Sequence, residues 1–156
     1  MNQLDSTFYL YLVLLKLIEE NNTDPLTGVL NRRGFEEALN YLKSISKRYE
    51  RPLTLILVDM CDLKKTNNQL GHIKGDEKLK LLASTISKNK REVDIVARVG
   101  GDEFAIILPE TNKEKAKVAI ERIQLKLKKY NINIKYGLAQ TPCENLYEMA
   151  DQYLNK

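Results

Sequence analysis

The chain is predicted to be an α+β domain: a split βαβ, ferredoxin-like antiparallel sheet flanked by helices, with an additional N-terminal helix. Three observations point there. Short branched apolar runs alternate with longer stretches whose apolar residues recur at helical spacing. From residue 32 onward the elements read α-β-α-β-β-α-β-α, whose β-α-β-β-α-β centre is the split βαβ order. The two middle strands are joined by Gly100-Gly101-Asp102-Glu103, a hairpin-turn signature.

Each element has its own reason. Phe8 to Ile18 is apolar apart from Lys16, so residues 1–22 are read as an N-terminal apolar helix. Eleven residues cannot span hydrocarbon, which takes roughly 20. The preceding stretch lacks the basic residues and small-residue cleavage site of a signal peptide. That helix is left with three destinations: self-association, packing on its own domain, or contact with a membrane surface. Phe35, Ala38, Leu39, Leu42, Ile45 and Tyr49 stripe a helix over 32–49, ended by Pro52. Leu53 to Val58 is a buried strand stopping at Asp59. Leu79, Leu82, Ala83 and Ile86 stripe a helix starting near Asp76. Ile95–Val99 and Phe104–Leu108 are the hairpin strands, and Ala116 to Leu127 stripe a third helix. Ile132–Leu138 is the fourth strand, and a last helix covers about 144–155.

Composition narrows the function. A chain of 156 residues and 18.0 kDa is one domain plus a helical extension. Lys+Arg 25 against Asp+Glu 21 gives +4, spread evenly, which argues against a polybasic arm and so against a nucleic-acid polymer as partner. No segment is long enough to be transmembrane. Two unpaired-looking cysteines, Cys61 and Cys143, suggest reduced thiols and a cytoplasmic setting.

In the split βαβ order, the end of the first strand at Asp59 sits beside the hairpin turn. Asp59, Asp102 and Glu103 are therefore expected to converge, with Gly100 and Gly101 permitting close approach of a ligand. Open groups of carboxylates suit magnesium held jointly with substrate phosphates. Taken singly, each is equally a turn residue, and Gly-Gly-Asp an ordinary tight turn.

The hairpin is longer than a turn requires. Arg98 followed by Gly100-Gly101-Asp102-Glu103-Phe104 resembles the signature of the GGDEF family of diguanylate cyclases. Asp24-Pro-Leu-Thr-Gly-Val-Leu-Asn-Arg-Arg-Gly-Phe35 resembles that family's entry turn. Asn67, Gly71, His72, Gly75 and Asp76 stand at its spacing after Asp59, and Tyr136-Gly137 and Ala150-Asp151 resemble its last strand and helix. The resemblance covers about residues 20–155, so 23–156 is taken as the GGDEF domain. It implies the palm-type fold of nucleotide cyclases and polymerases.

The resemblance also implies a bacterial second-messenger enzyme: a magnesium-dependent nucleotidyltransferase, with manganese as an alternative ion, condensing two GTP into cyclic di-GMP. Asp59, the backbone of Met60, Asp102 and Glu103 are the implied metal ligands. Asp102 or Glu103 would assist deprotonation of the attacking 3′-hydroxyl. Asn67 and Asp76 would read guanine, because a carboxylate accepting from N1 and N2 is poorly matched to adenine. Cys61, Asp62, Leu63 and Lys64 would cradle phosphates. The resemblance places His72, Gly100 and Gly101 in the substrate segment, although a lone histidine in a turn is read as structural. One domain binds one GTP, so a homodimer is implied.

Arg91-Glu92-Val93-Asp94 resembles the family's product-inhibition site, with Arg122 as a further arginine for cyclic di-GMP. An ordinary Arg–Asp pair at a helix exit is the competing reading. Three departures stand out. Cys61 replaces the family's second Asp, Asn68 replaces another Asp, and the C-terminal segment carrying a phosphate-binding Lys and Arg has no counterpart. A catalytically weak or inactive domain acting as a cyclic di-GMP receptor is the alternative function.

Overall fold

Leu53–Met60, apolar at every position but Thr54 and Asp59, forms strand β1 at the centre of a sheet covered on both sides. The computed structural model describes residues 3–19 and 21–155. Its sheet has the order β2-β3-β1-β4, with β2 at Ile95–Arg98, β3 at Glu103–Pro109 and β4 at Ile134–Gln140. All neighbours are antiparallel, as the split βαβ order requires.

The two faces of β1 feed two cores. Leu53, Leu55 and Leu57 join one with residues of α1 (Gln3–Glu19), α2 (Arg32–Tyr49) and α6 (Leu146–Leu154). Ile56, Val58 and Met60 join the other with residues of α4 (His72–Lys88) and α5 (Lys113–Leu127). Helices begin where side-chain acceptors satisfy free N–H groups: Asn31 accepts from Gly34, Asn112 from Lys115 and Asn145 from Glu148.

Several boundaries differ from those predicted. Residues 63–70 form a separate helix, α3 (Leu63–Leu70), and α4 starts at His72 rather than near Asp76. The break is Gly71, whose φ of 87° lies in the left-handed region that favours glycine. In the first turn of α4 the one large apolar residue, Ile73, is exposed and the buried position is Gly75, so the turn adds nothing to the apolar stripe. β1 continues through Asp59 to Met60, whose N–H bonds the Asp102 carbonyl at 2.9 Å. β2 ends at Arg98, one residue early, and α6 begins at Leu146 after its Asn145 cap. β4 is displaced two residues along, because Asn131 takes a left-handed conformation (φ 56°) after a single 3-10 turn, Lys128–Tyr130.

The helix read in residues 1–22 is found over Gln3–Glu19, with Asn21 and Asn22 beyond it and residues 1, 2 and 20 outside the described residues, and its surroundings divide it. Leu17 is 3% exposed and packs with Leu10 and Val13 against the α2 side of the domain. Phe8, Tyr11, Leu12, Leu15 and Ile18 are exposed, Phe8 to 60% and Ile18 to 53%. Among the described residues no helix is long and apolar enough to cross a membrane.

Candidate active site

The convergence expected from topology is present. Asp59 is the register partner of Glu103 on β3 and of Lys135 on β4, so these three residues form a row on one face of the sheet. Asp102 stands in the adjoining turn, and its negative charge acts on Asp59. Burial, then the charges of Asp102 and Glu103, push the Asp59 carboxyl up to about 6. Burial, Asp102 and Asp151 raise Glu103 as well, with Arg32 opposing them. Asp59 Oδ1 is buried and has no hydrogen-bond partner.

A divalent cation suits such a group. It would relieve the mutual repulsion and occupy the orphaned oxygen, with Asp59, the Met60 carbonyl, Asp102 and Glu103 as donors. Among the described residues no three His, Cys, Asp or Glu side chains form a ready-made cage. An open site completed by phosphates needs none. The hairpin keeps its shape through Val99 N–H to Glu103 O at 2.9 Å. A Cβ on Gly100 would come within 2.8 Å of Glu103 Oε2, whereas Gly101 faces open space.

Beside the carboxylates lies an open cleft of about 540 Å³ lined by Asp62, Leu63, Lys64, Lys65, Asn68, Gln69 and Asp102. Asp62 takes a left-handed conformation (φ 64°) and starts α3, so the first N–H groups of that helix face the cleft end unpaired within the helix. Cys61 is half-buried in the same turn, its thiol pushed up by burial, and its N–H bonds Asn133 O at 2.9 Å.

Asn67 and Asp76 are brought together by the packing of α3 on α4. The Asn67 carboxamide lies against Gly75, where a Cβ would stand 1.8 Å from Oδ1. That oxygen is buried and unpartnered, and Asp76 beside it is exposed. Asn67 Oδ1 is thus an acceptor without a donor, one residue from the exposed carboxylate of Asp76 along the packed pair of helices. His72 is exposed in the first turn of α4 rather than packed in a structural role.

A family model for the diguanylate cyclase GGDEF domain matches residues 21–155. The chain belongs to the GGDEF family. Among curated relatives, diguanylate cyclase DgcP of Pseudomonas aeruginosa is 37% identical over 102 residues, 65% of this chain and 15% of that protein. Probable diguanylate cyclase DgcT of Escherichia coli is 36% identical over 101 residues, again 65% of this chain and 22% of that protein. The chain thus spans less than a quarter of either. The GGDEF domain of DgcB from Caulobacter crescentus, solved with c-di-GMP, superposes with a TM-score of 0.81 at 26% identity, covering 86% of this chain and 85% of that one. Diguanylate cyclase SiaD, solved with its activator SiaC from Pseudomonas aeruginosa, gives 0.83 at 26% identity over 98% of this chain and 65% of that one.

In this GGDEF domain the second constellation lies at the other end of the sheet. Arg91 bonds both oxygens of buried Asp94, the Pro109 carbonyl at 2.8 Å and the Thr111 hydroxyl at 2.7 Å. Since Pro109 pairs with Leu53 and Glu103 with Asp59, the two sites are about 20 Å apart along β1. Arg122 reaches the same loop, bonding Asn89 O at 3.2 Å.

The domain also ties its signature turn to the entry turn. Arg98 bonds the Gly101 carbonyl at 2.8 Å and pairs with Asp24 at 3.4 Å. Burial alone would raise Asp24, but the Thr27 hydroxyl and N–H, together with Arg98, bring it below its ordinary value. Leu30 bridges to Ala97 and covers the open edge of β2. Sequence reading missed Arg32, Asp151 and Lys135. Lys135 was recoverable only from strand register, which sets it opposite Asp59.

Proposed function

We propose that the domain condenses two GTP into cyclic di-GMP in a magnesium-dependent reaction between two copies, with product inhibition at the Arg91–Asp94 loop. The observation that carries this reading is the buried, unpartnered Asp59 oxygen among Asp102 and Glu103, beside the open cleft lined by Asp62, Lys64, Lys65 and Asp102. The names of the curated relatives support it.

The division of labour follows from chemistry. Bound magnesium supplies charge neutralisation of the triphosphate and lowers the cost of forming a 3′-alkoxide. Asp59 and Asp102 hold that charge at the strand end. Glu103, with its raised pKa, is suited to accept the proton of the attacking hydroxyl. Asn67 Oδ1 and Asp76 accept from the guanine edge, and the α3 N-terminus with Lys64 cradles phosphates. GTP as substrate and reduced cysteines fit a cytoplasmic setting.

Incubation with GTP, ATP or both in magnesium, with products identified by mass, tests the reading. Cyclic di-GMP from GTP alone is expected. Binding of cyclic di-GMP without turnover would overturn it in favour of a receptor. The inhibitory site is best probed at Arg122, which makes one bond to the domain, whereas Arg91 makes several. Arg122→Ala should weaken cyclic di-GMP binding about tenfold in calorimetry and leave initial turnover intact. Unchanged product affinity would remove Arg122 from that site.

A further inference from the structure

We infer that Lys135 is a polyphosphate contact of the active site, a substrate-binding cation supplied by β4. This rests on the reading of the site as a GTP site and adds a residue to it.

Three observations carry it. Lys135 is the direct cross-strand partner of Asp59, on the same face and at the same strand end as Asp59 and Glu103. It is exposed and, among the described residues, makes no hydrogen bond or ion pair, so its ammonium is available. Its strand is also fixed to the phosphate turn, because Asn133, two residues before it, accepts from the N–H of Cys61.

The charge pattern needs such a group. Asp59, Asp102 and Glu103 bring three negative charges to the spot where a triphosphate must approach, and Asp151 adds its field to Glu103. Lys64 and Lys65 border the cleft from α3, on the Asp102 side. Without Lys135, no cation is paired in register with Asp59 on the β4 side. A flexible ammonium on an exposed stem can follow phosphate oxygens and donate charge-assisted hydrogen bonds. Such a contact reads phosphate number and not the base.

Calorimetry of the full chain in magnesium, with GTP and with GMP, distinguishes this role. Lys135→Met should weaken GTP about tenfold and leave GMP unchanged, and Lys135→Arg should restore most of the GTP affinity. Should the Met variant melt lower than wild type, Lys135→Gln is compared in the same way, since it keeps a polar stem without the charge. Unchanged GTP affinity, or an equal loss for GTP and GMP in a protein that melts like wild type, overturns the assignment. A wild-type chain that does not bind GTP would instead overturn the GTP-site reading, and this inference with it.

Discussion

At the scale of single residues, the site is marked by groups whose needs the domain leaves unmet. Asp59 is the clearest, with one oxygen orphaned and its carboxyl pushed up to about 6. A carboxyl raised from 3.8 takes up protons on folding between those values. Its contribution to stability is therefore complete below pH 3.8 and is lost as pH rises through about 6. Asp59→Asn should raise the melting temperature of the metal-free protein at pH 7.5 and abolish turnover. Each kcal/mol moves the midpoint by about 2–4 °C in a chain this size. Scanning calorimetry at pH 4.5 and 7.5 checks this; an equal difference between variant and wild type at both values would contradict it. Asp76 makes a separate claim, on selectivity. Asp76→Ser should narrow the preference for GTP over ATP by about 1–3 kcal/mol, measured as the ratio of kcat/KM values. The convergence of Asp59, Asp102 and Glu103 was legible in the sequence from a strand end, a hairpin turn and the split βαβ order, whereas the role of Asp76 came from the family resemblance. Lys135 was not, since its meaning lies in a pairing partner some 76 positions earlier in the chain.

At the scale of elements, legibility followed apolar period. The stripes of α2, α4 and α5 are buried, so their repeat is written in the sequence. In α3 only Thr66 is buried, and the helix holds its place through Leu63 against the core and the contact of Asn67 with Gly75 rather than through a repeating apolar stripe. Its existence therefore could not be read from hydrophobic period. The packing of α6 shows the same dependence on backbone approach. A Cβ on Gly137 of β4 would stand 2.1 Å from the Ala150 carbonyl and 2.5 Å from the Leu154 N–H. Both are backbone atoms, so the helix must move as a unit. Gly137→Ala should cost about 1–3 kcal/mol in urea unfolding. It should also displace Asp151, whose charge acts on Glu103, and so lower turnover in the folded variant.

At the scale of the molecule, the proposed function gives each domain one GTP, so joining two nucleotides would require a second copy. The exposed face of α1 is suited to bring it. Phe8, Tyr11, Leu12, Leu15 and Ile18 recur at three- and four-residue spacing, the pattern of a helix seam. The opposite side of the helix is docked through Leu17, next to the entry turn that Asp24 and Arg98 tie to the Gly101 carbonyl. Pairing two α1 helices would thus set two signature turns from a common base. The two faces call for different substitutions. Leu12→Lys with Leu15→Lys alters only exposed positions, so each domain should keep its melting temperature while the dimer weakens. Turnover per chain should fall steeply at low protein concentration and recover as concentration rises. Leu17→Ala removes a buried side chain and should instead lower the melting temperature, with a loss of activity that concentration does not restore. Sedimentation and initial rates over a hundredfold range of concentration separate the two. A double lysine variant whose specific activity tracks wild type at every concentration would mean that the active sites meet through another surface.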